Sequence, residues 1–226
     1  MPEQPRFFGR RRGKKLRVTG QALVDQLLPR LAIPLPEDGG GRLDPADLFS
    51  EPKREYWLEI GFGGGEHAAW QAGHHPEIGL IGAEVFLNGI ASLLGHIERG
   101  GLSNVRLYPE DVRPFLSRLK ENSLGRVFVL FPDPWPKSRH AERRFVNHSN
   151  LDLLAPLMAP GAILRLATDD ETYKAHAREV MAARQDFEDV TGEDPAQKPE
   201  DWPATRYEAK ARREGRAPVF LSYRRK

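Results

Sequence analysis

The chain has 226 residues, enough for one domain with a sizeable core and short appendages. Hydrophobic residues make up 39% and charged residues 29%, the balance of an ordinary globular protein, and no apolar run nears the ~18 residues a membrane-crossing helix needs. Cysteine is absent, which excludes disulfides, a thiolate nucleophile and Cys-ligated zinc and fits a cytoplasmic location. The net charge is only +2, yet the basic residues gather at both chain ends, a distribution that points to a polyanionic partner.

Residues 1–19 carry Arg6, Arg10, Arg11, Arg12, Lys14, Lys15 and Arg17 against the single acid Glu3. There is no serine before Ser50 and no helical period in the charges, so the segment reads as a flexible basic arm suited to phosphates rather than as a transit peptide, with the domain proper over 20–226. Leu23, Leu27, Leu28 and Leu31 share one helical face, which predicts an amphipathic helix over Gln21–Leu31. Pro34-Leu-Pro36 and Gly39-Gly-Gly41 then predict a loop.

Tyr56–Ile60 predicts a strand that runs into Gly61-Phe-Gly63-Gly64-Gly65, so that Glu59 to Gly65 spells acid-x-Gly-x-Gly-x-Gly. Glycines at such a turn permit positive φ and a close approach of backbone N–H groups to a ligand, and the helix predicted over His67–Ala72 presents its N-terminus there. Three residues after Gly63 stands Glu66, which would repel a pyrophosphate but not a ligand with a cationic amino acid moiety; this favours S-adenosylmethionine over NAD, with a ligand-free packing turn as the plain alternative. A second strand, Ile78–Glu84, ends in an acid about twenty residues on, where a carboxylate can accept from both ribose hydroxyls of an adenosine.

Asn88–Glu98 reads as a helix stopped by Gly100-Gly101, and Asn104–Tyr108 as a third strand. Asp111 either meets an adenine edge or caps the helix predicted to run through Leu119. Gly125–Leu130 is a short apolar run typical of a buried strand, and Phe131-Pro132-Asp133-Pro134-Trp135-Pro136-Lys137 must leave it stiffly, because three prolines within five residues remove donors and fix φ. A carboxylate, an indole and an ammonium are thereby placed on a rigid loop at a strand's C-terminal end, the edge where open α/β sheets bind ligands. Arg139, His140, Arg143 and Arg144 follow, diluted by Glu142.

Asn150–Met158 predicts a helix closed by Pro160-Gly161, Ala162–Ala167 a fifth strand, and Thr168 with Glu171 a capping box opening another helix, with Asp169 on the cleft side. Residues 191–204 form a loop, after which Thr205-Arg206-Tyr207-Glu208 matches a capping box and Glu208 can pair with Arg212. Val219–Tyr223 reads as a closing strand with Arg224-Arg225-Lys226 exposed behind it. The strand–helix alternation implies a doubly wound, mostly parallel α/β sheet with helices on both faces. The seven histidines show no ligand spacing, so no metal is expected.

Five of these stretches together resemble the bacterial tRNA (guanine-N7-)-methyltransferases, class I S-adenosylmethionine-dependent enzymes: Glu59–Gly65, Gly82-Ala-Glu84-Val, Phe131–Lys137, Ala167-Thr-Asp169 and Thr205–Glu208. The resemblance runs from about residue 54 to the C-terminus, and the basic arm is also typical of the family. It implies a single Rossmann-like domain that methylates N7 of the variable-loop guanine in tRNA, with no membrane, metal or protein partner. It implies that Glu59, Glu84, Asp111 and Asp133 contact the cofactor beside Gly61 and Gly63, that Asp133 is the active-site residue, and that Lys137, Asp169, Thr205, Arg206, Tyr207 and Glu208 bind the substrate. Pro136 stands where some relatives have His, Tyr207 replaces the commoner Phe, and Glu142 interrupts a run that is often basic.

Guanine N7 has an in-plane lone pair and no proton to lose, so attack needs no general base, in keeping with the lack of any Ser/His/Asp arrangement. Two rivals stand beside this reading. An amino-methylating enzyme has Asp/Asn-Pro-Pro-aromatic in the loop, whereas Trp135 here follows the first proline directly. An RNA-binding module on a degenerate methyltransferase fold would be expected to lose the acid at Glu59 or Glu84, and both are present.

Overall fold

The computed structural model describes residues 9–35 and 41–226. The start of the basic arm and residues 36–40 of the first loop lie outside the described residues. Seven strands form one sheet: β1 Glu55–Ile60, β2 Ile78–Ala83, β3 Val105–Tyr108, β4 Leu124–Leu130, β5 Met158–Thr168, β6 Phe187–Asp189 and β7 Val219–Arg225. Their order is β3-β2-β1-β4-β5-β7-β6, parallel throughout except that β7 runs antiparallel to β5 and β6. Helices α1 Val18–Gln26 and α2 Leu28–Leu31 precede the sheet; parallel strands need long crossovers, which α3 Glu66–His74, α4 Leu87–Gly100, α5 Val112–Leu116, α6 His148–Leu154 and α7 Glu171–Ala182 supply, and α8 Arg206–Arg213 lies in the connection from β6 to the antiparallel β7.

Alternation along the central strands builds two cores. Leu58 and Ile60 of β1 and Val127 and Val129 of β4 point into one, closed by Tyr173 of α7; Trp57 and Phe128 point into the other, with Ile90, Leu93 and Leu94 of α4. Both faces of the sheet are therefore buried, which is why these strands read as continuous apolar runs. The doubly wound architecture expected from the strand–helix alternation is the one observed.

Four local expectations are corrected. The first helix divides into α1 and α2 at Leu27, because Pro29 in the first turn of α2 lacks the N–H a continuous helix would need. The helix expected to run to Met158 ends at Leu154; a short 3₁₀ turn follows and β5 already begins at Met158, so Pro160 and Gly161 lie within a strand whose register with β4 shifts between Leu124 and Arg126. Gly161, at φ +85°, supplies the irregular backbone of that bulge. The cap of α7 is Asp170, whose carboxylate accepts from Tyr173 N–H at 2.8 Å, while Thr168 Oγ1 accepts from Asp170 N–H at 3.2 Å; the Thr168/Glu171 box does not form. Arg225, expected to be exposed, reaches the carbonyls of Ala155 and Asp186.

Candidate active site

The strand order reverses between β1 and β4, and the crevice outside the C-terminal ends of these strands is the binding position that open α/β topology creates. A cavity of about 410 Å³ occupies it, and Gly61, Gly63, Glu84, Asp111, Asp133 and Tyr207 all line it. Six residues separated by up to 146 positions in the chain thus meet at one sheet edge.

The glycine turn owes its shape to left-handed backbone at Gly61, Gly63 and Gly65, a region L side chains avoid. Helix α4 comes so close that a Cβ at Gly89 would stand 2.1 Å from the Gly63 carbonyl oxygen. Glu84, just past β2, ties the turn to the next strand: its Oε2 accepts from Gly63 N–H at 2.9 Å, and its Oε1 accepts from Val85 and Phe86 N–H at 2.8 and 2.9 Å. Burial pushes the Glu84 carboxyl above its ordinary value, the three backbone donors pull it back down, and the charge of Asp133 adds to the upward push. Asp133 and Glu84 are therefore electrostatic neighbours across the cavity.

Asp111 is a helix cap that also faces the cavity. Its Oδ1 accepts from Arg113 N–H at 3.0 Å as the cap of α5, its carboxylate holds the Arg113 guanidinium, and it lines the cavity. The helix it caps ends at Leu116, short of the Leu119 expected.

The proline-rich loop leaves β4 through Phe131 at φ +48° and passes Trp135 at φ +42°, both non-glycine residues in the left-handed region and both immediately before a proline. Asp133 lies between them, exposed, and accepts no hydrogen bond from any described residue. The loop is held from below by Arg144, which is buried and donates to the Pro134 and Trp135 carbonyls. Arg143 stands over the Trp135 ring at 5.0 Å.

Glu59 is not a wall of the main cavity. It is buried beneath the turn, where its Oε2 lies 2.7 Å from His67 Nδ1; the ring's Nε2 lies 3.1 Å from Gln71 Nε2, which also donates to the Asp201 carbonyl at 2.8 Å. Glu59 does border a small recess of about 20 Å³ with Thr205 and Tyr207, so this acid meets the Thr205–Glu208 patch there. Lys137 is exposed at the start of a 3₁₀ turn and lines neither space. Asp169 is engaged by Arg216 Nε at 2.6 Å and lines neither space.

Helix α8 lays its first turn across the glycine turn. Thr205 caps it, its Oγ1 accepting from Glu208 N–H at 3.2 Å. Arg206 Nε stands 3.4 Å from Glu66 Oε1, so the acid that was expected to face a ligand faces an arginine of the chain itself. The Tyr207 ring stacks on Phe131 with centroids 6.3 Å apart. Glu208 is buried and paired to Arg212 at 3.0 Å, as its i,i+4 spacing predicts, and to Lys198 at 3.4 Å.

Three features escaped the linear reading. His67 as the partner of Glu59 was hidden because eight residues and a turn separate them; Arg144 was submerged in a basic run; and the arm contributes Gly9 and Arg10 to the cavity wall. The arm is fastened by Asn88, whose Oδ1 accepts from Gly13 N–H at 2.8 Å and whose Nδ2 donates to the Lys14 carbonyl at 2.7 Å, and by Leu87 N–H donating to the Arg11 carbonyl at 3.0 Å.

A family model described as "Putative methyltransferase" matches residues 53–221. The chain is 55% identical over 226 residues to the tRNA (guanine-N(7)-)-methyltransferase of Paramagnetospirillum magneticum, covering 99% of this chain and 94% of that one. It is 50% identical over 234 residues to the tRNA (guanine-N(7)-)-methyltransferase of Rhodospirillum rubrum, covering 100% of this chain and 91% of the relative. Among solved structures, the Streptococcus mutans protein SMU.1697c in complex with SAH shares the fold at a TM-score of 0.52 and 10% identity, covering 77% of this chain and 90% of that one.

Proposed function

This chain belongs to the tRNA (guanine-N(7)-)-methyltransferase family, and we propose that its cavity binds S-adenosylmethionine beside a guanine of tRNA and forms 7-methylguanosine. The observation that carries the reading is the convergence of Gly61, Glu84, Asp111 and Asp133 on one cavity at the strand-order reversal.

The residues present suit that cofactor. Glu84 Oε2 takes only one backbone N–H, which leaves an acceptor position for a ribose hydroxyl. A Cβ at Gly61 would meet nothing within 4 Å, so the backbone there is bare toward the cavity and a ligand can lie against it. When bound, S-adenosylmethionine supplies an electrophilic methyl on a sulfonium. What the chain must do is orient and stabilise. Asp133, whose carboxylate accepts no hydrogen bond from any described residue, accepts from the N1–H and N2–H edge of guanine and so turns N7 the other way; its charge also stabilises the cation as the methyl moves to the purine. No residue needs to take a proton from N7.

For the RNA backbone, Lys137 on the loop, Arg10–Arg12 and Lys14 on the arm, and Arg206 over the glycine turn provide cations, Arg10 at the cavity wall itself, and affinity should fall steeply with salt. Among the described residues no helix is long and apolar enough to cross a membrane. The enzyme works where free tRNA is, in the cytoplasm.

The test is methyl transfer from labelled S-adenosylmethionine to bulk tRNA, followed by nuclease digestion and nucleoside analysis. Label in 7-methylguanosine alone is expected. Label in another nucleoside would discard the target atom, and intact cofactor binding without transfer would point to an RNA-binding module.

A further inference from the structure

The run Ser138–Arg144 offers its cations to two different media. Arg139 is exposed and Arg143 lies partly buried between the cavity and the Trp135 ring, whereas Arg144 is only 4% exposed. Its guanidinium is aimed at two successive carbonyls of the loop that bears Asp133: Nε donates to Pro134 O and Nη2 to Trp135 O, both at 2.9 Å. Resting on the reading of Asp133 given above, we infer that Arg144 is a positioning residue that clamps the Asp133 loop in its working shape, and is not an RNA contact.

The loop needs such a clamp for a reason written in its sequence. Prolines at 132, 134 and 136 cannot donate backbone hydrogen bonds, so the segment cannot brace itself by the N–H ladders other loops use. Phe131 and Trp135 occupy left-handed backbone before prolines, a conformation the local chain disfavours and the surroundings must impose. The carbonyls of Pro134 and Trp135 offer a grip that needs two donors held in one plane. An arginine fork has that geometry; a lysine ammonium offers one point of contact. Arg144 is itself fixed to the body of the domain. Its own carbonyl accepts from Asn147 Nδ2 at 2.8 Å, and two residues on Val146 N–H donates to the buried Tyr173 hydroxyl at 3.2 Å. The grip is therefore referred through α6 and α7 to the sheet, and Asp133 sits next to the gripped residues.

The test uses the full chain labelled with 5-fluorotryptophan, whose four tryptophans give separable fluorine resonances, that of Trp135 assigned by W135F. In R144K and R144Q the Trp135 resonance alone should shift or broaden. The turnover number should fall about 10- to 100-fold as the carboxylate loses its placement. Cofactor affinity, the KM for tRNA and the salt dependence of tRNA binding should stay at wild-type values. An arginine on RNA would give the opposite pattern: turnover kept at saturating tRNA, KM raised, and the salt slope reduced by about 1. That pattern, or displacement of all four resonances, overturns the inference. R144Q, if it fails to fold, leaves R144K to decide. Should the Trp135 resonance move in R144K while D133N keeps full turnover, the clamp stands and the role given to Asp133 falls.

Discussion

Tyr207 rests on Gly63: a Cβ added at Gly63 would stand 2.8 Å from both Cε2 and Oη of the Tyr207 ring. The glycine turn that lines the cavity and the helix α8 that begins at Arg206 are in direct contact, with no room between them for a methyl group.

Gly63→Ala therefore carries two penalties, the left-handed backbone at φ +56° and the collision with Tyr207. The backbone part costs about 1–2 kcal/mol by itself. Tyr207→Ala should relieve the collision and not the backbone, so the double variant should recover part of the lost stability and stop short of wild type. Thermal melts of the four proteins in this cycle check it; simple additivity would show that Tyr207 moves aside without cost.

Asp133→Asn should lower turnover about 100- to 1,000-fold, the scale of one lost group aimed at developing charge. It should also act on Glu84. The charge of Asp133 is one cause of the raised Glu84 carboxyl, so removing it lowers that value. On the proposal that ionised Glu84 holds the cofactor, affinity is complete above the raised value and is lost as pH falls through it. In Asp133→Asn the loss should come at lower pH. Titration of S-adenosylmethionine binding between about pH 4 and 8 measures the shift, and Glu84→Gln should bind weakly with no such step.

Asp201 holds the long loop onto the sheet, with Arg165 Nη1 at 2.7 Å and Arg126 Nη1 at 3.0 Å. Burial works to raise its carboxyl, yet the two guanidinia prevail and hold it below its ordinary value. Its contribution to stability is thus present above the unfolded value and lost as pH falls through the lower folded one. Asp201→Asn leaves two neighbouring cations without their counterion; with the carboxylate 38% exposed, the cost at neutral pH is about 1–2 kcal/mol. The gap between variant and wild type should close in acid. A gap that widened instead would contradict the pairing.

Asn88→Ala releases Gly13 and Lys14 while leaving every arginine of the arm in place. If the arm meets tRNA, ordering it must then be done on binding, and the KM for tRNA should rise about fivefold with turnover unchanged. Filter binding across a salt series should show the same slope at lower affinity. An unchanged KM would remove the arm from the RNA interface.

Much of this molecule was legible in one dimension because its signals are local. β1, β2 and β4 are short apolar runs buried on both faces, and they were located to within a residue or two. Positive φ at Gly61, Gly63 and Gly65 follows from the residue type, and the Glu208–Arg212 pair from helical spacing. Misreadings arose where a second local signal competed: Pro29 against the leucine stripe, Asp170 against Thr168 for the cap of α7, and the β5 bulge against Pro160-Gly161 as a stop. β6 escaped notice because three residues, one of them buried, are too few to show a period.

The site divides along the same line. Which residue types can bind a nucleoside sulfonium and face a guanine is dictated by the linear order, since the acid-glycine turn, the second acid and the proline-held Asp133 each carry their chemistry within a few neighbours. Which of them share a surface is not. Glu59 turned inward to His67, Asp169 engaged by Arg216, Arg206 set against Glu66 and Arg144 drawn under the Asp133 loop are all pairings across the fold. A side chain's charge is a property of the residue; whether that charge meets solvent, a ligand or a buried partner depends on what the sheet and its crossovers bring within about 3 Å of it, and only the folded chain decides that.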